Sequence, residues 1–201
     1  LYVIVTQGDQ VAEVDSRNFA VKKTLSIKRP GDMAAQFKKG IGLITTVARW
    51  TGSTLADQGK LSLIDLKSLE VIKDLKTGKN PVGIKISHDG EKIIVCDSNQ
   101  NSDIFEPYLD TLSILYIDSM TVLKRIYLEQ AGMMELSHDG SYAIVARFSD
   151  KKISFYPLIE GKATDLKIDY KIRKIDLSND GKYGYISTRS RPPRLVKVDI
   201  L

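Results

Sequence analysis

Two stretches of the chain carry residue types whose spacing could support chemistry. From 97 to 106 the sequence DSNQNSDIFE places Asp97, Asn99, Asn101 and Asp103 at alternate positions, with Glu106 close behind. Oxygen donors at every second residue resemble the opening of a calcium loop of D-x-N-x-N type. The pattern then departs: Ser102 stands where such a loop needs glycine and Tyr108 where it needs a bidentate glutamate, so Glu106 would have to substitute. Two readings stay open, a Ca²⁺ site and an ordinary polar loop in which Asn and Asp are equally at home. The second stretch is basic. Arg147, Arg173, Arg189, Arg191 and Arg194, with Lys151 and Lys152, crowd the last third of the chain. The planar guanidinium fork matches carboxylates and phosphates, which makes these arginines candidates for an anion site. The alternative is a set of solvated loop residues that never converge. Arg49 and Trp50 form a further pair that could stack on a flat ligand.

Several chemistries are excluded by what the sequence lacks. It contains no G-x-S-x-G elbow, Walker loop, H-E-x-x-H helix or cysteine cluster. Its one cysteine, Cys96 within KIIVCDS, rules out an intramolecular disulfide and reads as a small buried strand residue. His88 and His138 occupy the same place in two copies of one turn, and a catalytic residue has no reason to be copied with a repeat. They read as turn residues. Hydrophobic residues make up 42% and charged residues 27%, the balance of an ordinary globular domain. The net charge of +5 is low, and the basic cluster has few aromatics among it, so nucleic acid ranks last among partners. No apolar run approaches the ~20 residues that span a bilayer. The chain opens on LYVIVTQ, which reads as a strand with no basic leader before it, so flanking sequence is expected.

The elements that must position these residues are repeated. ISHDGEKIIV at 86–95, LSHDGSYAIV at 136–145 and LSNDGKYGYI at 177–186 are versions of one hairpin, with Asp-Gly turns 50 and 41 residues apart. Gly90, Gly140 and Gly181 should supply the positive φ these turns need. A second marker recurs as well: Asp15, Asp65 and Asp118 lie 50 and 53 residues apart, each near the end of an apolar run and before a turn. One unit therefore reads strand, Asp-Gly turn, strand, variable loop, strand, Asp turn, strand. Four short strands every 40–50 residues predict an all-β chain of four-stranded antiparallel sheets, each apolar on both faces and stable only when stacked on its neighbours. Ile84, Ile86, Ile93, Val95, Leu136, Ile144, Val145 and Ile186 are the expected buried positions.

GKLSLIDLKSLEVIKDLKTGKNPVGIKISHDGEKIIVCDSN at 59–99 resembles the YVTN-type β-propeller repeat of surface-layer and lactonase-like proteins, and YVIVTQ at 2–7 resembles its naming motif. His88 and His138 depart from the proline usual there, and insertions interrupt 49–60 and 97–111. The resemblance implies a β-propeller with a partial blade at 1–27, blades near 31–75, 79–128 and 131–168, and a partial blade at 172–201. Such an arrangement is expected to belong to a larger ring of six to eight blades, with a five-bladed ring as the alternative.

In the resembled fold the first strand of each unit lines the axis, and the second-to-third and fourth-to-first loops share one face. Here the loops at 49–60, 97–111, 147–152 and 188–194 differ in length and composition, and variable loops on a rigid scaffold are where binding residues gather. The expected function is a non-enzymatic binding or surface-scaffold module outside the cytoplasm, a compartment taken from the resemblance alone. Its partner would be a protein or an anionic small molecule or glycan on the loop face. The alternative is a lactonase-like hydrolase with carboxylates and a metal near the axis, where Asp97 would share a strand-end column with Gln7, Arg49, Arg147 and Thr188.

Overall fold

The structure is a computed structural model. It describes residues 2–5, 9–48, 50–51, 54–55, 59–78, 80–98, 110–128, 132–137, 139–147, 151–178 and 180–200. Among the described residues five antiparallel blade sheets follow one another along the chain, beside one two-stranded hairpin sheet. Blade 1 contains β1 (Tyr2–Val5), β2 (Gln10–Val14) and β3 (Val21–Ser26). Blade 2 contains β4 (Pro30–Gln36), β5 (Ile41–Thr46), β8 (Lys60–Asp65) and β9 (Glu70–Lys76), with a small hairpin of β6 (Trp50–Thr51) and β7 (Thr54–Leu55) between its middle strands. Blade 3 contains β10 (Pro81–Ile86), β11 (Lys92–Asp97), β12 (Asp110–Tyr116) and β13 (Val122–Leu128). Blade 4 contains β14 (Met133–Leu136), β15 (Tyr142–Arg147), β16 (Lys152–Pro157) and β17 (Thr164–Lys167). Blade 5 contains β18 (Ile172–Leu177), β19 (Tyr183–Thr188) and β20 (Leu195–Asp199). Among the described residues the one helical element is a single 3₁₀ turn at Phe37–Lys39.

The first strands β4, β10, β14 and β18 contact one another in sequence, so the sheets stack radially as the blades of a β-propeller. Strand β11 shows why an uninterrupted apolar run builds this fold. Its side chains alternate between faces. Ile93 and Val95 enter the core shared with blade 2, among Leu43, Leu61 and Ile84. Ile94 and Cys96 enter the core shared with blade 4, among Leu112, Met134 and Val145. Each fully buried Ile or Val contributes about 1.5–3 kcal/mol relative to exposure. Six of the eight expected core residues are buried, Ile84, Ile93, Val95, Ile144, Val145 and Ile186. Ile86 and Leu136 are half-buried, because they end their strands beside the Asp-Gly turns, though both pack on the inter-blade cores.

Lysines on the outer strands of blades 1, 2 and 3 each tie their blade to the next. Lys23 Nζ donates to the carbonyl of Lys67, Lys73 to that of Ser119 and Lys124 to that of Ile159, at 2.5, 2.8 and 2.6 Å. The Asp-Gly turns are equally regular, with Gly90, Gly140 and Gly181 at φ 73°, 69° and 70°. In each, a serine hydroxyl donates to the aspartate two residues on and accepts the N–H five residues on: Ser87 with Asp89 and Lys92, Ser137 with Asp139 and Tyr142, Ser178 with Asp180 and Tyr183.

Candidate functional site

Antiparallel order sets the fourth-to-first connections and the second-to-third loops on the same end of every blade. On that end, between blades 2 and 3, lies a recess of about 280 Å³. Blade 2 contributes Thr77 and Gly78, with Lys76 at the edge, and blade 3 contributes Asp97 from β11, Thr111 and Ser113 from β12, and Arg125 and Tyr127 from β13. The register brings these together. Asp97 is the cross-strand partner of Thr111, Ser113 of Arg125 and Thr111 of Tyr127, and alternation turns all of them to the same face.

Asp97 is 2% exposed, and among the described residues its Oδ1 has no hydrogen-bond partner. Burial is the largest influence on its acidity. It lifts the carboxyl to about 6, against lowering by the Gly78 amide, the Thr77 hydroxyl and the Arg125 charge, while Asp110 nearby raises it further. Gly78 permits this placement, since a Cβ there would stand 2.8 Å from the Asp97 Cβ and 3.0 Å from Oδ1. Among the described residues Arg125 makes no hydrogen bond or ion pair, and neither do the Thr111 and Ser113 hydroxyls. A buried carboxylate oxygen without a donor costs several kcal/mol until something pairs with it.

In blades 2 and 4 the polar groups of the same recess pair with one another. In blade 2 the positions of Asp97, Thr111, Ser113 and Arg125 are held by Thr46, Lys60, Ser62 and Asp74. Lys60 Nζ lies 2.6 Å from Asp74 Oδ2, and Ser62 Oγ donates to Asp74 Oδ1 at 2.6 Å. Blade 4 repeats the arrangement with Lys152, Ser154 and Asp165, at 3.3 and 2.6 Å. Blade 3 keeps the serine, replaces the lysine by Thr111 and the aspartate by Arg125, and adds Asp97. This is the part sequence reasoning missed. The signal is the simultaneous departure of three repeat columns, visible once the blades are aligned strand by strand.

The sequence-expected sites are placed as follows. Of the calcium candidates, Asn99, Asn101, Asp103 and Glu106 lie outside the described residues, and Asp97 faces the recess. Of the anion candidates, Arg189, Arg191 and Arg194 are exposed on the loop after β19, and Arg173 is exposed on β18. Arg194 donates to the Tyr170 hydroxyl at 2.8 Å and stacks on its ring at 5.1 Å, and the Arg189 N–H bonds the Lys171 carbonyl. Arg147 ends β15, and its side chain lies outside the described residues. The strand-end column also needs correction. Register assigns Val5, Thr46, Asp97, Arg147 and Thr188 to it, because β1 and β5 end before Gln7 and Arg49. The loop expected at 49–60 contains the β6–β7 hairpin. His88 is exposed in its turn, and His138 lies outside the described residues. Cys96 is buried, with its thiol pushed up to about 12 by burial, so it is no nucleophile at neutral pH. On the inner strands, Lys85 pairs with Glu135 of the next blade at 2.7 Å. Among the described residues no three His, Cys, Asp or Glu side chains group closely enough to hold a metal.

No family model matches the sequence and no curated protein resembles it significantly. Solved structures do resemble the fold. Hydrazine synthase of Kuenenia stuttgartiensis superposes with a TM-score of 0.81 at 17% identity, over 99% of this chain and 61% of that one. Dihydro-heme d1 dehydrogenase NirN, in complex with DHE, gives 0.67 at 16% identity, over 98% of this chain and 41% of that one. A functionally unknown protein from Desulfotomaculum acetoxidans DSM 771 gives 0.59 at 9%, over 98% and 78%. The chain thus spans less than two thirds of the first of these. At such identities the likeness carries the fold alone: the chain is built as a β-propeller.

Proposed function

We propose that the protein is a binding module, a β-propeller that holds a small polar ligand on its loop-bearing face in the recess formed by Asp97, Thr111, Ser113 and Arg125. One observation carries this reading. The chain pairs the polar side chains of the same recess with one another in blades 2 and 4, and in blade 3 leaves Asp97 Oδ1 and Arg125 without a partner among the described residues. Retaining a buried carboxylate with one unpartnered oxygen costs stability, and such cost collects at functional sites. The resemblance of 59–99 to YVTN-type repeats supports a non-enzymatic, surface or periplasmic role and adds the compartment to the proposal. The arginines 189, 191 and 194 extend it, since exposed cations on the same end attract anionic partners. The enzyme names among the structural neighbours bring no activity with them at 16–17% identity. Calorimetry of the chain against panels of small polar metabolites tests the proposal. Heat that vanishes in Thr111→Lys, which installs the lysine of blades 2 and 4, supports it. Binding unaffected by that change places the site elsewhere.

A further inference from the structure

This inference rests on the reading of the recess as a binding site and names its ligand class. From the contrast between blades we infer that the recess takes a compact zwitterion, an α-amino acid or another small molecule with an ammonium group close to a carboxylate.

Blades 2 and 4 show what this position accommodates. In each, a carboxylate accepts from a strand serine and lies beside an ammonium: Asp74 on Ser62 Oγ with Lys60 Nζ, and Asp165 on Ser154 Oγ with Lys152 Nζ. In blade 3 the serine remains as Ser113, while the ammonium and the carboxylate are both gone. Their places face two new charges on the wall. Arg125 occupies the strand position of the lost aspartate, beside Ser113. Asp97 lies across from Thr111, the position of the lost lysine. A ligand carboxylate set on Ser113 Oγ meets the Arg125 guanidinium, and a neighbouring ammonium lies over Thr111 and faces the unpartnered Asp97 Oδ1. The ligand thereby restores the ammonium–carboxylate–hydroxyl set of the sister blades with the wall charges reversed. Arg125 acts on Asp97 through space, yet no ion pair joins them, so the two charges are free for an intervening group. The recess, about 280 Å³, lies just below the ~300–1,000 Å³ of pockets for drug-sized ligands, which suits a compact molecule.

Titration calorimetry of the chain tests this with free amino acids at millimolar concentration, their methyl esters (no anion), their N-acetyl forms (no cation), a polyol, and calcium chloride. The expected result is binding of one or more free amino acids that weakens tenfold or more with both the ester and the N-acetyl form. It should also be lost in Asp97→Asn, Arg125→Gln and Thr111→Lys. The last variant closes the recess as blades 2 and 4 do and keeps the test decisive if Asp97→Asn misfolds. Equal binding of the ester or N-acetyl form, preference for the polyol, or calcium heat abolished by Asp97→Asn overturns the zwitterion while leaving a binding site in the recess. No heat from any probe overturns both readings.

Discussion

Asp97 is the residue whose environment conflicts most with its chemistry. Folding raises its carboxyl from 3.8 to about 6, so the folded chain holds the proton more tightly than the unfolded chain. Stability therefore falls as pH rises through about 4 to about 6, then levels off, with an upper bound near ~3 kcal/mol. Asp97→Asn should raise stability by about 1–2 kcal/mol at pH 7.5 and by almost nothing at pH 4, read from denaturant midpoints at both pH values. A gain of the same size at pH 4 would show that charge is not the cause. Asp89 and Asp139 behave oppositely. Serine and backbone donors hold both near 2, so their contribution is present above about 4 and lost as pH falls toward 2. The sequence announced the turn glycines and Cys96 clearly, because each answers a local rule. It did not announce Arg125 or Ser113, which look like ordinary strand residues until a cross-strand partner is assigned.

Among elements, the hairpins and their order were legible because Asp-Gly turns, period-2 runs and recurrence all pointed to the same unit. The turns after Asp15 and Asp65, and the turn containing Asp118, were less so. Their left-handed positions are held by Phe19, Leu69 and Met120 at φ 58°, 63° and 54°, residues that carry no turn signature. The β6–β7 hairpin was missed for a related reason, since two-residue strands have no period to read. The Asp-Gly turns also differ in a way sequence could not reveal. A Cβ on Gly90 would collide with the Gln36 side chain of the preceding blade, while one on Gly140 meets nothing nearer than the His88 N at 3.9 Å. Gly140→Ala should cost about 1 kcal/mol from backbone strain alone, and Gly90→Ala should cost more. Adding Gln36→Ala to Gly90→Ala should return the extra cost, and thermal melts of the four variants form the double-mutant cycle. Equal costs for the two glycines would mean that the blade contact contributes nothing.

For the whole molecule, repetition made the architecture readable, and the breaks in repetition mark the proposed site. Aligning only strand ends, without register, put Gln7 and Arg49 in the Asp97 column. The cross-strand pairs Thr46–Lys60 and Asp97–Thr111 are needed to see what each blade does there. The anion rim is a property at this scale too. Arg189, Arg191 and Arg194 share one loop, in a chain of net charge +5, and should attract anions at low salt. Sulfate or phosphate binding by the chain should weaken several-fold in Arg189→Ala/Arg191→Ala and fade as ionic strength rises past about 0.1 M. Binding indifferent to both changes would remove the rim from the account.

Under the proposed binding role, the strand register shared by the blade 2 and blade 3 recesses makes ligand stoichiometry programmable. The blade 2 recess, about 410 Å³, keeps the serine as Ser62 and differs at Ile27, Lys28, Thr46, Lys60 and Asp74, and its connection to β4 is one residue shorter. Ile27→Thr, Lys28→Gly, Thr46→Asp, Lys60→Thr and Asp74→Arg together would carry the blade 3 residue set one blade upstream, onto strand pairs Thr46–Lys60 and Ser62–Asp74 that already share its register. A chain so changed should titrate with two equivalents of ligand where the parent takes one, and a chain that also carries Thr111→Lys should return to one, now held by a blade that began as scaffold.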